Sequence, residues 1–520
     1  MRPHFDQRTL RICLGLLFGL VAAAAALNAW TYSFATGIPL VQSDVWTFLD
    51  TYVRKYLEGS FTWRDWFLQA HSTDTNLPLH KLILLFHINH FNMDFKVEGL
   101  IGVAAGIGLV LLLAINAAGV NPSRWRLPGF ALLAWLALVL LSLNSTNVYT
   151  WPLATMWFFH ILVVGVYLVV MARPTLRPWM AGLASIVLGV LLDEVAMIGV
   201  LSAVLALLLV GDGRPARARL LQAVAAVAGL VLVRGLYAWF NAVHRITPEA
   251  AASSGMVEGL KGLLSVDGLQ LMLVPLADSL IHMHALQDWF PRQHALVGAV
   301  LGAVLLAAHL VFWWVVVRGR RSTLEPGQVR VRRVAIALML LFYGTLAGIA
   351  LQRVPVFGIA YLHQPRYVLF YQLNLAALGL MAYAVYTCWS PTSQRRASIT
   401  AGALLTVLLS VGVLQWHLSV RSWEHAKHLS IYVEGAARTM GQLAIDPGAD
   451  VACADILRVC DFPLRERALV MDLLLNYQLN VFNPAFQSLY RLRPFEAPRT
   501  APAAMPAPTS APADAAGSGG

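Results

Sequence analysis

Apolar residues run along this chain in blocks of close to 20, separated by short polar or basic stretches, and that pattern predicts helices that cross a bilayer. A hydrocarbon core about 30 Å thick needs roughly 20 residues at 1.5 Å each. Such blocks lie near residues 11–30, 97–118, 128–143, 151–171, 180–192, 195–210, 220–240, 294–317, 334–352, 367–387 and 399–418. The blocks at 180–192 and 195–210 are short, and Asp193-Glu194 interrupts what is otherwise one long apolar run. A carboxylate pair in mid-membrane is expensive, so the pattern predicts a tight hairpin turning on these acids, with a single long span as the competing reading.

Charge decides between the two. Lys and Arg near span ends collect on the cytoplasmic side. With the hairpin, Arg2, Arg8 and Arg11, then Arg124 and Arg126, Arg173 and Arg177, Arg214, Arg217 and Arg219, the dense run from Arg318 to Arg333, and Arg395 and Arg396 all share one side. Without it, the densest Arg loop changes sides. The expected fold is therefore an all-α polytopic membrane protein with about eleven transmembrane helices in a bacterial inner membrane. Its N-terminus is cytoplasmic and its C-terminus periplasmic. The first span, with its long apolar run, reads as a retained anchor rather than a cleaved signal peptide.

This topology divides the chain into a transmembrane domain, 1–418, with outer loops 31–96 and 241–293, a small periplasmic region, 419–493, and a Pro/Ala-rich disordered tail, 494–520. In the first outer loop Val45, Phe48, Leu49, Tyr52, Val53, Tyr56 and Leu57 recur at helical spacing. They predict an amphipathic helix lying on the membrane surface. Leu77 to Phe91 predicts a second interfacial helix, carrying His80, Lys81, His87 and His90. In the second loop, Pro275 and Asp278 break an apolar stretch that lies at the interface or dips partway in, where other helices must wall it.

Composition sharpens the class. Of 520 residues 58% are hydrophobic and 12% charged, against roughly 25% charged in soluble domains. The net charge of +11 resides in Arg residues scattered over separate loops, which leaves no nucleic-acid footprint. Cys453 and Cys460 share the outer C-terminal region, where an oxidising compartment permits a bridge. Two helical turns would hold their Cα atoms about 10 Å apart, too far, so a disulfide requires a bend and the sequence leaves it open.

No phosphate-loop, dinucleotide-binding or nucleophile-elbow motif stands in a credible context. The suggestive constellation is Asp44, just past the first span, followed by His71, Asp74 and His80. An Asp at the mouth of a membrane groove is placed to deprotonate an acceptor hydroxyl, a step worth roughly 10²- to 10⁴-fold in rate. His71 and Asp74 are the candidates for a divalent metal, the one cofactor considered. Each of these residues is equally at home in a solvated loop.

The plan of first span, outer Asp44, surface helix, and a second helix introduced by H-x-x-D-x-N-L-P-L-H resembles the first outer loop of GT-C glycosyltransferases. In those proteins an acidic motif follows the first span and a P-L element precedes the next helix. Asp44 and Pro78-Leu79 stand at those places. The chain also resembles bacterial polytopic proteins with a D-x-W first loop and an S-R-Y-like element before a late span, matched loosely by Asp44-Val45-Trp46 and Gln364-Pro365-Arg366-Tyr367. It departs from the family in having Val45 where many members carry a second acid, and His80-Lys81 where Arg is common.

The resemblance implies a GT-C-like enzyme that moves sugar from a polyprenyl-phosphate carrier to an envelope glycan, lipid or protein acceptor. Asp44 would be the base; Arg366 and Arg353, with Tyr367, His80 and Lys81, would hold phosphate and substrate. Its partners would be membrane lipids, the lipid-linked sugar and the acceptor. The alternatives are a transporter or flippase and a polysaccharide polymerase or assembly protein.

Overall fold

The structure, a computed structural model, describes residues 7–68, 78–119, 126–243, 267–319, 325–389, 394–427 and 429–493. Among them every regular element is helical. Eight helices are long and apolar enough to cross a membrane: Arg11–Thr36, Phe95–Ala118, Pro152–Met171, Ala216–Asn241, His294–Arg318, Pro326–Gln352, Pro365–Thr387 and Ala401–Ala426. Three shorter apolar helices, Leu127–Leu140, Pro178–Leu192 and Val195–Leu209, accompany them. The chain is thus a polytopic helical membrane protein.

The hydrophobic run at residue 193 breaks as the acids suggested. Asp193 ends one helix with φ 42° and ψ −110°, which reverses the chain. Leu188 Cδ2 consequently lies 3.6 Å from where a Cβ on Gly199 would stand. In a continuous helix these residues would be about 16 Å apart along the axis. Asp193 does more than turn: it is buried and ion-paired with Arg234 of the Ala216–Val243 helix.

Loops sort cleanly to the two ends of the bundle. At one end Arg333 binds Asp212 at 2.9 Å and the Val210 carbonyl at 2.9 Å, while Arg330 reaches the Asn116 carbonyl at 2.9 Å. At the other, the Ile38 N–H donates to Thr150 O, Ser145 Oγ to Pro365 O at 2.8 Å, and Asn144 Nδ2 to Asp278 O at 2.7 Å. This second end carries a cap.

The cap corrects two expectations. The helical stretch from Val45 to Leu57 exists, a π-turn at Leu49–Val53 included. Its apolar face, however, does not rest on lipid: Val45, Trp46, Leu49 and Val53 are buried in one core with Leu84, Ile88, Leu457, Val459, Val470 and Leu474. Of the two stretches expected at the membrane surface, it is the Pro78–Phe91 helix that keeps an exposed apolar side, at Leu82, Phe86 and Phe91. The first outer loop and the C-terminal region therefore form one body rather than belonging to separate domains. Backbone and side chains stitch them: Ser43 N–H donates to Ile456 O, Asn480 Nδ2 to Pro39 O and Met93 O, and Tyr490 Oη to the Asp94 carboxylate. Cys453 and Cys460 are bridged, with Cα atoms 6.4 Å apart, because residues 451–457 are not helical.

Candidate functional site

The most elaborate polar arrangement at the cap end forms where a helix breaks. Gly268–Leu280 and Met283–Trp289 meet at 73°. Pro275 lies inside the first piece, one helical turn before the break, and takes a backbone N–H out of its ladder. The stretch is walled by a neighbour, as expected: Leu273 O is 2.5 Å from where a Cβ on Gly302 of the His294–Gly319 helix would stand. At the break the freed backbone groups find side chains, as burial demands. Asn144 Oδ1 accepts from His282 N–H at 2.7 Å while its amide holds the Asp278 carbonyl.

Asp278 is 1% exposed and would be costly there without partners. Its carboxylate accepts from Met283 N–H at 3.1 Å and from His363 Nδ1 at 2.8 Å. An ionised carboxylate offers only lone pairs, so His363 Nδ1 carries the proton. His282 is fixed in the complementary tautomer. Its Nε2 donates to His363 O at 2.8 Å and its Nδ1 accepts from His284 N–H.

His363 sits on a 3₁₀ turn, Ile359–His363, followed by another, Pro365–Tyr367. The second turn presents Arg366. Its guanidinium lies 5.7 Å from the Trp151 ring centre, 5.8 Å from Tyr361 and 5.3 Å from Tyr367, and Nη2 donates to the Tyr361 hydroxyl. Three aromatic faces hold the planar cation in place. Among the described residues its buried Nε–H meets no acceptor. Arg353, at the end of the Pro326–Gln352 helix, is within electrostatic reach of Tyr367.

The other sequence-derived residues fall into the cap. Asp44 begins the Val45–Leu57 stretch, and its carboxylate pairs with Arg458, which lies inside the disulfide-bounded loop; the side chains are 36% and 51% exposed. Among the described residues neither a hydrogen bond nor an ion pair joins Asp44 to Arg366. His80 and Lys81 are buried, not open to the surface. His80 Nε2 lies 3.0 Å from Glu98 Oε1, and His87 Nδ1 is 4.0 Å from the other Glu98 oxygen. Lys81 Nζ donates to the carbonyls of Asp65, Trp66 and Leu68 at 2.9, 3.2 and 2.5 Å, pinning the loop after the Trp63–Trp66 turn. Burial pushes the Lys81 ammonium down to about 7, against the pull of Asp65 and Asp193. His71 and Asp74 lie outside the described residues, and among those described no group of His, Cys, Asp and Glu has the geometry of a metal site.

The sequence singles out Arg366 and Tyr367 as candidates and gives the Asp278–His363 pair no role. One signal was present: a carboxylate interrupting an apolar stretch marks a functional position by default. Its partner, 85 residues on, leaves no trace in spacing. No protein-family model matches the chain, and neither the curated proteins nor the solved structures compared with it contain a match.

Proposed function

We propose that this chain is a GT-C-like glycosyltransferase of the bacterial inner membrane, with eleven crossings and its cap in the periplasm, that takes sugar from a polyprenyl-phosphate carrier. The observation that carries the reading is Arg366: a guanidinium oriented by three rings at a bundle end, whose buried Nε–H has no acceptor among the described residues. An unmet donor of that kind is costly, and an anionic oxygen satisfies it. Phosphate suits the fork geometry of Arg.

In this reading Arg366 and Arg353 hold the carrier phosphate, and an acceptor hydroxyl attacks the anomeric carbon with inversion. Asp44 takes the hydroxyl proton once its carboxylate leaves Arg458. Both partners are partly exposed, so that exchange costs no more than about 1 kcal/mol. Arg366 stabilises the charge that builds on the departing phosphate. The acceptor is a glycan, lipid or protein of the envelope.

The test is transfer of labelled sugar by Asp44→Asn and Arg366→Ala proteins at matched membrane abundance. Each should fall about 10²-fold or more; full activity in both sinks the mechanism. The bent helix at residues 280–283 favours one rival, since transporters build sites at helix discontinuities. A transporter would move the carrier across proteoliposomes without transferring sugar and would tolerate Asp44→Asn.

A further inference from the structure

We propose that His363, oriented by Asp278, is the general acid that protonates the phosphate leaving Arg366. The inference rests on the glycosyltransferase reading above and adds to it a catalytic group at the other end of the breaking bond.

The geometry is that of an imidazole aimed by a buried carboxylate. Asp278 is enclosed, whereas the His363 side chain is 22% exposed, and Nδ1 faces Asp278. The opposite nitrogen, Nε2, is therefore not taken by the carboxylate, and the ring sits on the loop formed by the two 3₁₀ turns. That loop also carries Arg366. Two residues, Gln364 and Pro365, separate the two, which lie on consecutive 3₁₀ turns, so their Cα atoms lie within about 11 Å even at full extension. Tyr371 joins the two halves of the site. Its hydroxyl donates to Leu362 O at 3.0 Å, its ring centre is 6.4 Å from that of Tyr367, and it lies within electrostatic reach of Asp278.

Because Nδ1 is taken by the carboxylate, Nε2 is the nitrogen that exchanges a proton with a ligand. His282 does not compete for the role, because its Nε2 is spent on a carbonyl and its Nδ1 accepts from the His284 N–H. A phosphate monoester gains its second proton near pH 6, and a protonated imidazole can supply it.

The bond between the anomeric carbon and the phosphate oxygen breaks, and its electron pair stays on that oxygen. The Nε2 proton of His363 passes to the same phosphate, the acceptor oxygen bonds to the anomeric carbon, and Asp44 receives the acceptor's proton. Exchange with water then returns Asp44 and His363 to their starting states.

The experiment uses the full-length protein in nanodiscs and measures label transfer from a panel of polyprenyl-phosphate-linked hexoses to envelope acceptors across the neutral pH range. His363→Gln should lower kcat about 10²-fold and abolish the alkaline decline of the wild-type profile, while still binding polyprenyl phosphate by native mass spectrometry. Asp278→Asn, which removes the carboxylate that orients the ring, should lower kcat at least tenfold with carrier binding retained. The role is overturned if Asp44→Asn and Arg366→Ala lose transfer while His363→Gln keeps the wild-type rate and profile. It is also overturned if His363→Gln no longer binds the carrier, which marks a structural part, or if Asp278→Asn keeps the wild-type kcat. Wild-type rates in Asp44→Asn and Arg366→Ala instead overturn the glycosyltransferase reading itself.

Discussion

Lys81 is a cation that burial has brought to the edge of neutrality, with three carbonyls around it. Below about pH 7 it is charged in both the folded and the unfolded chain. Between there and the ordinary lysine value near 10.4 only the unfolded chain keeps the proton. Folding is therefore favoured increasingly as pH rises through that window. Thermal melts should show Tm rising with pH above 7 in the wild type and a flatter profile in Lys81→Met; an unchanged slope contradicts the assignment. The same substitution strips hydrogen bonds from buried carbonyls and should cost about 1–3 kcal/mol. Arg458→Ala should behave differently. It removes one partner of a half-exposed pair, so stability should move by less than about 1 kcal/mol, with transfer activity retained because Asp44 no longer has to be released. Arg366 and Asp44 could be singled out from their types and positions, but the rings around Arg366 and the pairing of Asp44 with Arg458 could not be read there. Pairs made with a distant partner, His363 with Asp278 or His80 with Glu98, were not legible either.

Among the elements, the disulfide and the helix crossings make the sharpest predictions. The Cys453–Cys460 bridge closes a short loop that supplies Ile456 O and Arg458 to the first outer segment. Replacing both cysteines by serine should cost the cap about 2–3 kcal/mol, seen as protease cleavage within 446–463 while the membrane helices stay intact. Gly102 stands where the Phe95–Ala118 helix meets Thr155; a Cβ there would lie 2.5 Å from the Thr155 carbonyl oxygen. Small residues permit such close approach between membrane helices. Gly102→Val should cost about 1–3 kcal/mol and deplete the protein from membranes. Gly235→Ala, where nothing lies within 4 Å, should be silent. The hairpin at Asp193 was readable because an apolar run cannot bury two acids without a turn. The Val45–Leu57 helix was read correctly as a helix and wrongly as a membrane-surface one. Its amphipathic period says that one face needs cover, and the cover comes from residues some 400 positions later, which no local pattern reveals.

Across the whole molecule, the alternation of basic and outer loops in the sequence matches the sorting of loops to two ends of the bundle, because each apolar helix that crosses carries the chain from one end to the other. The reversal at Asp193 returns the chain to the end it left, so loop sides do not depend on how deep that hairpin reaches. On the proposed periplasmic placement of the cap, an alkaline phosphatase reporter fused after residue 493 should be active and one fused after residue 319 inactive; the opposite pattern would invert the topology. The multi-span helical character was visible from hydropathy, while the cap's joint construction and the site at the helix break depend on contacts between segments far apart. The central claim is that the carrier phosphate sits on Arg366 between Trp151, Tyr361 and Tyr367. Photo-crosslinking the purified protein with a polyprenyl phosphate bearing a reactive group next to the phosphate, followed by peptide mapping, tests it most directly. The account predicts label within residues 359–367 and around Trp151, lost in Arg366→Ala; label confined to other segments, or unchanged by that substitution, would contradict it.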